Sequence, residues 1–147
     1  MMKIISPPTL YKIFIVAMFF SVLLPIRKQI IFPYNLLGII PFAFGSYMAV
    51  NAKKHFKQTA TPMHPFTNPT QLHQDRFFKY TRNPMYLGIA IGLLGIAILT
   101  GHIFNLAFGI LYIILCDIFY VRHEEKKLQK KFGIKFKEYK LKTRRWL

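Results

Sequence analysis

Apolar positions in this chain come in long unbroken runs, not in the alternation of a half-buried strand or the stripes of a soluble helix. No charged residue occurs in the 21 positions from Ile30 to Val50 or in the 17 from Met85 to Gly101, and the 19 from Ile103 to Val121 hold only Asp117. A helix needs about 20 residues to cross a bilayer core. A fourth stretch, Leu10 to Leu24, is shorter, is interrupted by Lys12 and is closed by Pro25, Arg27 and Lys28. A cleaved signal peptide is its competing reading, but no small-x-small site follows Leu24, which favours a retained span. The pattern predicts an all-α integral membrane protein with about four transmembrane helices, near 10–26, 30–50, 84–100 and 103–121, in a single domain covering 1–147.

Local signals refine these elements. Pro33 and Pro41 predict a kink in the second span, tolerable where neighbours satisfy the freed backbone groups. Thr100-Gly101-His102 is too short for anything but an antiparallel helical hairpin between the third and fourth spans. Nothing breaks a helix between Ile103 and Phe132, so the last span is expected to continue into water as a cytoplasmic extension, with Gly133 as its stop. Gly88, Gly92 and Gly95, inside an apolar helix, point to close helix packing and not to a nucleotide loop.

Charge changes the picture in one respect. Hydrophobic residues make up 53% of the chain, yet Lys+Arg number 21 against Asp+Glu 5, a formal net charge of +16. The uncharged runs exclude a soluble nucleic-acid binder, and the lone Cys116 excludes a disulfide scaffold. With four spans, 19 of the 21 cations fall on one side, in the N-terminal region, the loop 51–83 and the tail 122–147. Positively charged loops stay cytoplasmic, so both termini are expected there. Topology accounts for the charge without a nucleic-acid partner. His55, His64 and His73 do not follow a metal-ligand spacing, so no metal is expected.

Two stretches could carry chemistry. In Thr81-Arg82-Asn83-Pro84-Met85-Tyr86-Leu87-Gly88, Asn83 suits an N-cap and Pro84 the first helical position, so the third span should begin there. A helix N-terminus with Arg82 beside it suits a ligand carboxylate or phosphate, although a capped helix with interfacial Arg and Tyr reads the same way. In the second stretch, three of the five acids lie between Asp117 and Glu125. Asp117, Tyr120, Glu124 and Leu128 share one helical stripe, and Asp117 is an intramembrane acid. Phe136, Tyr139 and Trp146, among lysines and arginines, either lie in the headgroup layer or fold back over a site; pattern alone favours the headgroups.

Together these residues resemble the isoprenylcysteine carboxyl methyltransferase family of membrane methyltransferases, in its prokaryotic branch. The likeness rests on Arg82-Asn83-Pro84-Met85-Tyr86, on Glu124-Glu125 followed by Leu128 and Phe132-Gly133, on Thr61-Pro62-Met63-His64-Pro65-Phe66 with Leu72, and on Tyr139 and Arg145-Trp146. It implies a multi-pass protein of a prokaryotic cytoplasmic membrane that uses S-adenosylmethionine to methylate a lipophilic or lipid-modified acceptor beside membrane lipid. The resemblance assigns the cofactor to Thr70, Gln71, Leu72, His73, Phe78, Asn83, Pro84, Met85, Tyr86 and Glu124, with Arg82, Tyr86 and Glu124 as the catalytic set and Tyr120 towards the acceptor. Physically, Arg82 and the helix N-terminus suit the cofactor carboxylate, Glu124 its ammonium and the Tyr86 ring its sulfonium end. Phe78 stands where the family has Tyr, Asp75-Arg76 replaces a small turn, and Tyr120 replaces a substrate-contacting Arg, which removes the basis for a prenylcysteine carboxylate as acceptor. Two competing readings are an NADPH-dependent enzyme similar to the sterol reductases, which share an Arg-His-Pro-x-Tyr motif, and a non-enzymatic scaffold whose basic tail grips lipid.

Overall fold

In a computed structural model, residues 7–62 and 67–147 are described. Lys3 of the topology argument and Met63, His64, Pro65 and Phe66 of the motif loop lie outside them. The described residues form helices and no strand. The six α-helices are α1 (Pro7–Val22), α2 (Ile39–Gln58), α3 (Pro84–Thr100), α4 (Leu106–Cys116), α5 (Arg122–Phe132) and α6 (Ile134–Lys142).

Two helical stretches are long and apolar enough to cross a bilayer, Tyr34–Gln58 and Ile103–Phe132, while Pro7–Val22 and Pro84–Thr100 are apolar but shorter. The second stretch is the continuous 30-residue helix expected from the sequence. Its apolar part ends at Val121, and it stops at Gly133, which takes φ 51. A wide turn over Asp117–Val121 joins α4 to α5. Such a turn holds about one residue more than an α-turn and rotates everything beyond it relative to what precedes it. The stripe expected to unite Asp117 with Glu124 is broken for this reason, and the two carboxylates meet different partners.

The helix boundaries also differ from the sequence reading. The first helix ends at Val22. In the second, Pro33 precedes the helix and Pro41 sits in the first turn of α2, where a missing amide donor breaks no bond within that helix, so the prolines start the helix instead of kinking it. That helix also extends to Gln58, taking eight positions from the expected loop.

Close approach of α2 and α3 forms the centre of the fold. A Cβ on Gly45 would collide with the Gly88 carbonyl and the Gly92 amide, and one on Gly95 would meet the Phe42 amide and the Gly38 carbonyl. Backbones this near one another gain dispersion contacts that any side chain would remove, which matters between helices that lipid solvates as well as protein does. At the far end Gly101, with φ 79, makes the tight reversal into α4. Across α3 from α2, the core is Phe14 and Met18 of α1, Tyr86, Ala90, Leu93 and Ala97 of α3, and Tyr112, Cys116 and Tyr120. Outward, Phe19, Phe44, Ile110 and Ile118 are among many large exposed apolar residues, a surface suited to lipid.

Gly45→Leu is expected to lower stability by about 1–3 kcal/mol through overpacking. Gly92→Ala, whose own Cβ meets nothing within 4 Å, should change it little. Thermal unfolding of the detergent-solubilised variants measures both.

Candidate functional site

Helix α3 opens at Asn83-Pro84, as its cap residues predict, but Asn83 does not cap it with its side chain. Its Nδ2 donates instead to the Arg145 carbonyl at 3.0 Å, and its backbone amide donates to Thr81 Oγ1 at 3.2 Å. Thr81 Oγ1 in turn donates to the same Arg145 carbonyl at 3.0 Å. The tail has folded back onto the entry of α3. Phe136 and Tyr139, expected in the headgroup layer, are 0% and 4% exposed, and the Tyr139 hydroxyl donates to the Phe78 carbonyl at 2.7 Å. Burial is the physical reason for the correction: aromatic residues three apart on α6 pack inward and line the cavity described below.

Charge fastens this arrangement. Arg82 donates through Nε and Nη2 to Glu125 Oε1 at 3.0 and 2.8 Å, and through Nη1 to the Thr143 carbonyl. Arg145 donates through Nη2 to Glu125 Oε2 at 2.6 Å and through Nη1 to Asp117 Oδ1 at 3.0 Å. Asp117 also pairs with Arg122 at 2.8 Å. One carboxylate, Glu125, thus joins the start of α3 to the tail. Burial would raise its pKa, but the hydrogen bonds from Arg145 and Arg82 overcome that and hold it below the ordinary carboxylate range.

Between these elements lies a cavity of about 880 Å³ including its open mouth. Its walls include Phe56 at the end of α2, Thr67, Pro69, Gln71, Leu72 and His73 of the loop, Phe78, the entry of α3 from Arg82 to Tyr86, Glu124, Glu125, Lys127 and Leu128 of α5, and Phe136 and Tyr139 of α6. Lys127 and Lys131 hold the loop down by donating to the carbonyls of Thr67 and Pro69 at 3.3 and 2.6 Å. On the wall, Glu124 Oε1 accepts a hydrogen bond from the Tyr86 hydroxyl at 2.7 Å. Burial pushes the Glu124 carboxyl above its ordinary value, against the lowering effect of the Tyr86 hydroxyl and of Lys127.

Most of the residues assigned by resemblance therefore meet on one cavity: Gln71, Leu72, His73, Phe78, Arg82, Asn83, Pro84, Met85, Tyr86 and Glu124. Thr70 does not line it; its hydroxyl donates to Thr61 Oγ1 at 3.2 Å. Tyr120 does not either, being 2% exposed and stacked on Tyr86 with ring centroids 6.3 Å apart. Arg82 lines the cavity, but much of its donor fork is spent on Glu125 and Thr143. Sequence reasoning missed Phe56, which carried no signal. It named Phe136 among aromatics able to fold back over a site and Arg145 within the family-like tail, but gave neither a place at the site; the spacing of Phe136 and Tyr139 on one face of a short helix was the available signal for the tail.

Glu125→Ala should leave Arg82 without its buried partner and cost about 3 kcal/mol. Limited proteolysis would then cut the tail more rapidly than in the parent. Because the pKa of Glu125 is depressed on folding, its contribution is complete above the unfolded value near 4 and is lost as pH falls through the lower folded value, so hydrogen exchange in α6 should accelerate only in that acid range.

Comparison with known proteins agrees with the motifs. The sequence profile of the phospholipid methyltransferase family matches residues 34–135, from the start of the second apolar helix into α6. No curated protein and no solved structure matches the chain. The profile spans well over half of the sequence and includes the entry of α3 and both carboxylates of α5. The chain therefore belongs to the phospholipid methyltransferase family, within the wider group of membrane methyltransferases related to the isoprenylcysteine carboxyl methyltransferases.

Proposed function

We propose that this protein transfers a methyl group from S-adenosylmethionine to a lipophilic or membrane-associated acceptor at the cytoplasmic membrane face, with four spans and both termini cytoplasmic. The observation that carries the cofactor reading is Glu124: a buried carboxylate on the cavity wall, hydrogen-bonded to Tyr86, beside an N-terminus of α3 that has no side-chain cap. A zwitterion fits that pair of features. The carboxylate attracts an ammonium group, while the free amides and partial positive charge of the helix start attract a carboxylate.

S-adenosylmethionine, when bound, supplies a methyl group on a sulfonium centre that is open to direct displacement. What the chain supplies is alignment and exclusion of water, which suffices for such a transfer. Glu124 and Tyr86 orient one end of the cavity, Phe78, Phe136 and Tyr139 form an apolar lid, and Arg82 acts by holding Glu125 and the tail in position. Tyr120 supports the Tyr86 ring from behind. The acceptor would enter sideways from the bilayer, since the cavity lies where α3 begins and where the apolar part of the long helix has just ended.

Glu124→Gln and Tyr86→Phe should each weaken binding of S-adenosylhomocysteine, by about tenfold to a hundredfold for Glu124, as expected for one charge-assisted hydrogen bond. Calorimetry on the detergent-solubilised protein measures this. No heat and no thermal stabilisation, or binding of NADPH instead, would overturn the reading. Since the pKa of Glu124 is raised, the carboxylate becomes protonated at a higher pH than usual. Affinity should therefore decline on acidification from above the ordinary range near 4.3, and Glu124→Gln should remove that dependence.

A further inference from the structure

Behind the cavity wall formed by Phe78, two potential ligands of the loop, His73 and Asp75, meet a third on α2, His55. His55 Nε2 on α2 lies 3.0 Å from His73 Nδ1 and 3.0 Å from Asp75 Oδ1. All three donor atoms lie within 4.8 Å of one another. The linear spacing of the histidines gave no reason to expect this. His55 and His73 become neighbours only because the chain turns back after Gln58.

Hydroxyl groups surround His73: Thr59 Oγ1 donates to the His55 carbonyl at 2.9 Å, and Thr61 Oγ1 lies 3.1 Å from Thr59 Oγ1 and 3.0 Å from His73 Nε2. One ring nitrogen, His55 Nε2, faces both His73 Nδ1 and Asp75 Oδ1 at 3.0 Å. In either tautomer of His73 this crowds three lone-pair-bearing atoms around at most one or two protons, and one of the contacts is left poorly satisfied. A cation resolves this conflict, because it accepts lone pairs from all three groups at once. Two nitrogens bound to zinc at about 2.0–2.1 Å in a tetrahedron lie about 3.3 Å apart, close to the His–His separation here. Thr61 on the far nitrogen of His73 is the outer partner that a metal-bound imidazole ordinarily has. Asp75 is held by no cap of its own helical turn, and its side chain is 56% exposed, which gives an ion a way in.

We propose that His55, His73 and Asp75 form a binding site for a divalent transition-metal cation of the zinc type, with water completing the shell. The ion staples the loop to the end of α2. It thereby fixes the His73 ring, which packs against Phe56 and Phe78 with centroids 5.2 and 5.5 Å away, two residues of the cavity wall. This assignment is independent of the cofactor reading, since its evidence is the ligand geometry alone.

The test is zinc binding by the full-length, tag-free protein in detergent, stripped with a chelator and titrated against a chromophoric competitor, with elemental analysis after desalting. One equivalent of zinc is expected in the parent, together with a rise in its thermal midpoint. Asp75→Asn, a substitution at an exposed residue, and His73→Gln should each lose that equivalent and the rise, and Thr61→Val should weaken binding about tenfold. Circular dichroism of Asp75→Asn should match the parent, so its loss of zinc reports the ligand and not unfolding. Failure of the parent to hold zinc, or equal binding by the parent and Asp75→Asn, would overturn the proposal.

Discussion

The carboxylate of Glu125 is the point through which the ends of the functional half are connected. It is reached by Arg82 from the entry of α3 and by Arg145 from the tail. Its side chain is only 12% exposed, and Arg82 only 10%. Charges this sheltered cannot be left single, because desolvation without a partner costs several kcal/mol. Arg82 and Glu125 satisfy one another, and Arg145, donating to the same carboxylate, draws the tail across the entry of α3. Phe136 and Tyr139 follow passively and form part of the cavity wall.

That arrangement also separates two neighbouring acids into different duties. Glu125 is satisfied twice over by guanidinium groups and is structural. Glu124, one residue earlier, faces the cavity with a tyrosine hydroxyl and retains the capacity to attract a cation. The wide turn at Asp117–Val121 is what allows this division. It rotates Asp117 towards Arg145 and Arg122, where it extends the ion network, and leaves the Glu124 position to the cavity. The glycine contact between α2 and α3 acts at the other boundary, bringing the end of α2 near enough to α3 for Phe56 to share the cavity with Tyr86.

Much of this was legible in the residues. The uncharged runs located the apolar helices, because a bilayer admits only long segments that satisfy their own backbone. Asn83-Pro84 marked the start of α3 and Gly133 the end of α5, since both signals act within one turn of helix. The small-residue pattern of α3 anticipated its close packing. What the pattern misjudged were interactions between distant segments: the tail aromatics looked like a lipid-facing face, Asn83 like a cap, and the prolines of the second span like a kink.

By itself the sequence determined which segments are apolar, where α3 starts and where α5 stops, all consequences of local backbone chemistry and solvent preference. It also carried the family motif, whose residues line the cavity beside α3. The tertiary structure alone decided that Arg145 would close on Glu125, that Asp117 and Glu124 would diverge, and that His55 would meet His73 and Asp75. Those outcomes depend on chain reversals and a single turn of altered pitch. Pairing between residues tens of positions apart is set by packing in three dimensions, about which one-dimensional spacing carries no information.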